Sequence, residues 1–206
     1  MRFSKLVIIV IPIVLLAGCW TLSLHPLYFE KDLVFDPALE GSWSNPDDAD
    51  EIWTFERMDE KSYALTVFED VNVDTLHRTA DGEIDIDPGN DPKSFGEFEA
   101  HLVQLGDYYF LDLYPEDTDV AGEFIQSHIL LAHSFYKINI AGDTLIHAVL
   151  DAEWLEESIE QGIVNIKHEQ TKDMIVLTAS TGELQQFVLK YAEDAFSDSN
   201  IMIRLK

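Results

Sequence analysis

The chain has 206 residues, with 39 acidic against 13 basic side chains and a formal net charge of −26. Such an excess of negative charge repels phosphate backbones and excludes nucleic acid as a partner. One cysteine excludes any disulfide within the chain, and 47% hydrophobic with 11% aromatic residues excludes a disordered acidic tail.

The chain opens with a basic head, Arg2 and Lys5, followed by an apolar run from Leu6 to Leu16 and then Leu16-Ala17-Gly18-Cys19. As a helix the run spans roughly 16 Å, short of the ~30 Å hydrocarbon layer. A cationic head, an apolar middle and small residues before a processing point are the grammar of a secretory signal. The last four residues resemble the lipobox of bacterial lipoproteins. The resemblance implies that residues 1–18 are removed and that the thiol of Cys19 is acylated by a diacylglycerol, usually with the new amine acylated as well. The membrane is then a partner through Cys19. Each buried methylene contributes about 0.8 kcal/mol, so two or more chains hold the protein stably. Lipidation also removes the odd thiol that an oxidising compartment penalises. Trp20 rather than aspartate follows the cysteine, which by the family's sorting rule favours the outer membrane over other parts of the cell envelope. Loss of Arg2 and Lys5 takes the net charge to −28, and 188 residues remain, enough for one domain. The expected organisation is a leader at 1–18, a lipidated N-terminus and linker at 19–35, and a single β-rich domain at 36–206.

Along that domain, Asp36-Pro37-Ala38-Leu39-Glu40 predicts a short helical turn, with Asp36 as N-cap and Pro37 in the first helical position. Period-two alternation then predicts a series of strands. Trp53 and Phe55 share one face, as do Tyr63, Leu65 and Val67; Phe98, Ala100 and Leu102 follow, then Tyr109, Leu111 and Leu113. Further strands are expected at His128 to Leu131, Ser134 to Ile140 and Thr144 to Leu150, with Gly106-Asp107 and Gly142-Asp143 as tight links. A helix from Asp151 to Gln161 ends at Gly162, and the capping box Ser180-Thr181-Gly182-Glu183 opens a second that runs to about Asp194. Ile163 to His168 and Met174 to Thr178 read as a hairpin between the helices, and Ile201 to Leu205 as a last edge strand. The fold class is mostly β with two helices, an antiparallel meander forming a barrel or curled sheet.

Gly41-Ser42-Trp43, after a helical turn and at the entrance to the first strand, resembles the Gly-x-Trp opening of the lipocalin superfamily. The resemblance implies an eight-stranded barrel with Trp43 packed across its closed floor, and Arg204 standing in for a late arginine on that tryptophan. A lipocalin-like barrel of this size holds one small ligand or is filled by side chains. The mature chain, with His25-Pro26-Leu27-Tyr28 and Asp32 to Trp43, also looks like a group of bacterial lipoproteins that carries no activity to transfer.

Catalytic chemistry has no motif. There is no Gly-x-Ser-x-Gly, no phosphate loop and no His-Glu-x-x-His. His101, His128, His133 and His147 fall on expected strands, but none are paired at a ligand spacing, so no metal site is assigned. Asp81, Glu83, Asp85 and Asp87 offer hard oxygen ligands, yet the twelfth position counted from Asp85 is Gly96 rather than a carboxylate, and a solvated loop is the plainer reading. Carboxylate pairs such as Glu97 and Glu99 are guaranteed by chance among 39 acids. The expectation is a non-enzymatic binding or envelope-structure module with no cofactor, taking a small apolar ligand. The alternatives are an acidic protein–protein module meeting a basic partner, and a metal-dependent hydrolase.

Overall fold

The computed structural model describes residues 20–46, 51–69, 76–78, 84–86, 94–116, 128–172 and 174–205. The leader, Cys19 and most of the acidic stretch from Asp81 to Asp91 lie outside the described residues. The N-terminal half carries β1 (Trp20–Ser23), a 3-10 turn (Glu30–Asp32), β2 (Leu33–Val34), β3 (Gly41–Ser44), β4 (Ile52–Arg57), β5 (Ser62–Glu69), β6 (Leu76–Arg78) and β7 (Ile84–Ile86). The remainder carries β8 (Ser94–Leu105), β9 (Tyr108–Pro115), β10 (Ser134–Ala141), β11 (Thr144–Val149), α1 (Ala152–Glu160), β12 (His168–Gln170), β13 (Met174–Leu177), α2 (Thr181–Lys190) and β14 (Asn200–Arg204).

Eight antiparallel strands close on themselves in the order β8-β5-β4-β3-β14-β11-β10-β9, with β9 pairing back onto β8. Closure gives each of these eight strands a neighbour on both sides, and the two-residue β2 adds to the sheet on β8, with Leu33 opposite Val103. Alternation places one set of side chains inside: Trp43, Trp53, Phe55, Tyr63, Leu65, Leu102, Leu111, Leu113, Ile138, Leu145 and Met202 form a single core with Leu39. Three tight turns join neighbouring strands: 58–61, Gly106-Asp107 and Gly142-Asp143. Gly106 and Gly142 take φ of +59° and +64°, which L side chains rarely adopt.

The strands differ in what their outer faces demand. β3 and β4 turn Ser42, Thr54 and Glu56 outward, whereas β8 to β11 turn out Val103, Leu105, Phe110, Phe135 and Ala148. Apolar on both faces, the second set needs a cover. A second layer supplies it: the sheet β1-β13-β12, with α1, α2 and the segment after α2, packs Ile175, Leu177, Leu155, Leu184, Val188 and Phe196 onto that wall. Asp151 caps α1 by accepting from the Trp154 amide at 2.9 Å, and Gly162 at φ +69° ends the turn beyond it. Glu183 Oε2 accepts from both the Ser180 amide (2.9 Å) and its hydroxyl (2.6 Å) at the start of α2.

Several expectations are corrected. Residues 200–204 are no edge strand; they lie between β3 and β11 and complete the barrel. His128 to Leu131 is not a strand, and among the described residues pairing in this stretch begins only at His133, whose backbone bridges Ser23. The last helix ends at Lys190, since Tyr191 leaves helical geometry (φ −119°, ψ 24°) and donates its hydroxyl to the Ile163 carbonyl. Residues 163–167 form no strand, and the hairpin with β13 is confined to His168–Gln170. The segment read as a linker is tied down from Trp20 onward, because β1 pairs in parallel with β13. Within the acidic stretch, Ile84–Ile86 pairs with Leu76–Arg78.

Candidate functional site

Three places bring chemistry-bearing side chains together. The first is one end of the barrel, where residues 36–40 cross before entering β3. Asp36 Oδ1 accepts from the Ala38 amide at 2.9 Å and the Leu39 amide donates to the Asp36 carbonyl, the capped turn expected from the sequence. Trp43 is fully buried, and its indole donates to the Leu39 carbonyl at 2.9 Å. The guanidinium of Arg204 lies 4.1 Å from the Trp43 ring and donates to the carbonyls of Glu40 and Ala38. Gly41 has φ +112°, and a Cβ there would sit 2.7 Å from the Arg204 Nη1. The glycine, the tryptophan and the arginine are therefore one unit: the first leaves room for the third to lie on the second. Lysine at 204 keeps the charge but loses the planar fork. Arg204→Lys is expected to cost about 2–3 kcal/mol in urea unfolding, from weakened cation–π contact and lost hydrogen bonds. A cost under about 0.5 kcal/mol would refute the unit.

The second place is inside the barrel, where β4, β10 and β11 meet. The imidazole of His147 lies 4.7 Å from the Trp53 ring and 6.0 Å from that of Tyr136, which meets Trp53 edge-on at 5.3 Å. His147 is 6% exposed, and among the described residues its Nδ1 has no hydrogen-bond partner. Burial alone pulls its pKa down to about 4, so it is neutral at pH 7. Burial, with the charge of Glu51 second, pushes the Tyr136 phenol up to about 12. The Trp53 indole donates to Glu51 Oε1 at 2.7 Å. Inside the barrel three aromatic rings thus pack around one polar atom that, among the described residues, makes no hydrogen bond. Elsewhere a cleft of about 250 Å³ reaches the inward-facing Leu102, Ile138 and Ile140, past Asp36 and Tyr109.

The third place is the outer wall. Asp112 on β9 is fully buried; its Oδ2 accepts from the Leu27 amide at 2.6 Å and its Oδ1 lies 2.6 Å from His133 Nδ1. His101, opposite Asp112 on β8, meets the Tyr28 ring at 4.4 Å with the planes tilted by 31°, and lies 3.4 Å from Glu99. Burial lowers the pKa of His101 against the pull of Glu99, Asp112 and Asp59. Tyr28 is pushed up to about 12, by burial first and then by Asp112 and Glu99. Ser23 bridges His133 through both backbones, which puts serine, histidine and aspartate side by side. They are not a nucleophilic triad: the Ser23 hydroxyl donates to the His25 carbonyl at 2.8 Å. The node fastens the strap at residues 24–34 to the barrel.

The four histidines singled out in sequence do not converge. His147 points into the barrel, His101 and His133 lie on its outer wall, and His128 sits in a turn. Among the described residues no group of three or more His, Cys, Asp or Glu is placed to hold a metal ion, and no helix is long and apolar enough to cross a membrane. Sequence reasoning missed Asp112. The available signal was a charge between Leu111 and Leu113 in an otherwise apolar run, the mark of a buried carboxylate with a purpose. No protein-family model, curated protein or solved structure matches this chain.

Proposed function

We propose that this chain is a lipid-anchored, non-enzymatic binding module of the bacterial cell envelope. It is lipocalin-like in build and takes a small apolar ligand into its barrel. The observation that carries the binding clause is the buried, unpartnered Nδ1 of His147 in an aromatic wall. A buried polar atom without a partner costs about 1–3 kcal/mol, a cost that a ligand offering one hydrogen-bonding group would offset. The neutral imidazole brings no positive charge, and Glu51 stands beside Trp53, so the fitting ligand is uncharged rather than a carboxylate or phosphate. The floor unit of Gly41, Trp43 and Arg204 supports the lipocalin-like reading. Attachment through Cys19, on the periplasmic face or in the outer membrane, rests on the leader and the four residues that close it.

Native mass spectrometry of the protein extracted from membranes tests both clauses. The expected spectrum shows Cys19 as the acylated first residue and a co-purified neutral ligand that His147→Phe removes while the fold persists. An empty barrel in protein from its own host would end the ligand clause; an unmodified Cys19 behind an intact leader would end the anchor clause.

A further inference from the structure

The strands β1 and β13 form a parallel pair with two unlike faces. The inner face, Thr21, Ser23, Ile175 and Leu177, is buried against the barrel wall. On the other face Trp20 stands beside Met174 and Leu22 beside Val176. Trp20 is 63% exposed, the other three are half-buried, and none of the four belongs to either hydrophobic core. Four apolar side chains in register, outside both cores, form a patch that a soluble surface does not call for. The patch begins one residue after Cys19. Consecutive Cα atoms are about 3.8 Å apart, so an acyl chain on Cys19 and the Trp20 ring cannot be separated by a free tether.

We propose that this outer face of β1 and β13 is a lipid-docking surface, laid on the bilayer by the anchor at Cys19. The inference rests on the lipidation of Cys19. Tryptophan favours the headgroup level, where its apolar ring and its N–H are both accommodated, and it stands at the anchored end of the patch. By register Glu169 on β12 stands opposite Val176 and places a charge at the border of the patch. A body of charge −28 is repelled by anionic headgroups, so the surface it fits is zwitterionic. The docked body is held flush and in one orientation, rather than swinging on a linker.

The test uses the full lipidated protein in phosphatidylcholine–phosphatidylethanolamine vesicles. The chain's only cysteine is the one acylated, so an introduced cysteine is the sole labelling site. A nitroxide is placed at Val176→Cys, or at Gly182→Cys as the reference, where an added Cβ meets nothing within 4 Å. Accessibility to oxygen relative to a water-soluble nickel chelate is expected to be several-fold higher at 176 than at 182. Adding Leu22→Glu should return position 176 to the value at 182 while the protein stays on the vesicles. Equal values at 176 and 182, with acylation of Cys19 confirmed by mass, would overturn the docking surface and leave the anchor standing. A position 176 shielded from both probes would overturn it in favour of a protein cover, a second copy included. Protein that leaves the vesicles with Cys19 unmodified would overturn the anchor and this surface together.

Discussion

Asp112→Ala is expected to destabilise the protein by about 2–6 kcal/mol, because it removes a buried carboxylate on which two other groups depend. The carboxylate meets two groups at once, the Leu27 amide and His133 Nδ1, each at 2.6 Å. Alanine leaves both unmet, and two buried orphans at about 1–3 kcal/mol each give that total of about 2–6 kcal/mol. Asparagine keeps an acceptor for one of them, so Asp112→Asn should cost about half as much. The loss is local before it is global: the strap at residues 24–34 is also held by Gln185 to the Leu27 carbonyl and by Thr181 to the Pro26 carbonyl, both 2.8 Å. Urea unfolding gives the cost, and hydrogen exchange at the Leu27 amide gives its place. If Asp112→Ala cost less than about 1 kcal/mol, or left that amide protected, the node would not be what fastens the strap.

The second large effect is acid sensitivity through His147. Its pKa is about 4 in the folded state against 6.5 when unfolded. A depressed value means that the folded state resists protonation. The stabilising difference is fully present above pH 6.5 and is lost as pH falls through 4. A gap of about 2.5 units corresponds to about 3 kcal/mol across that window. Carboxylates add their own acid loss, so the comparison that isolates His147 is with His147→Phe, which keeps a ring against Trp53 and removes the titration. In ligand-free protein the variant is expected to gain about 1–2 kcal/mol at pH 7 by removing the unpartnered nitrogen, and to lose about 3 kcal/mol less than the parent between pH 7 and pH 4. Parallel stability curves for the two proteins would show that His147 does not titrate in that window.

Much of this architecture was legible locally. The alternation of Trp53 with Phe55, of Tyr63 with Leu65 and of Leu111 with Leu113 is that of half-buried strands, and each lies on one. Asp151, Gly162 and the Ser180–Glu183 capping box marked helix ends because caps are made by near neighbours in sequence. What misled were apolar runs with no partner alongside. His128 to Leu131 looks like a strand, but Leu130 is 73% exposed and the run does not take strand geometry. Leu102-Val103 and Phe110-Leu111 carried another message, apolar on both faces, which marks strands that need a second layer.

By itself, the sequence determined the strand periods, the tight turns at Gly106 and Gly142, the two helix caps and the excess of negative charge, since each depends on residues a few positions apart. Only the tertiary structure decided that residues 200–204 close the barrel, that Arg204 lies on Trp43, that Asp112 reaches Leu27, and that the face of β1 and β13 stays outside both cores. The contacts of Arg204 join positions as far apart as 166 residues. No periodicity encodes such a pairing, because it is selected by which apolar faces are left to cover once every local element has formed.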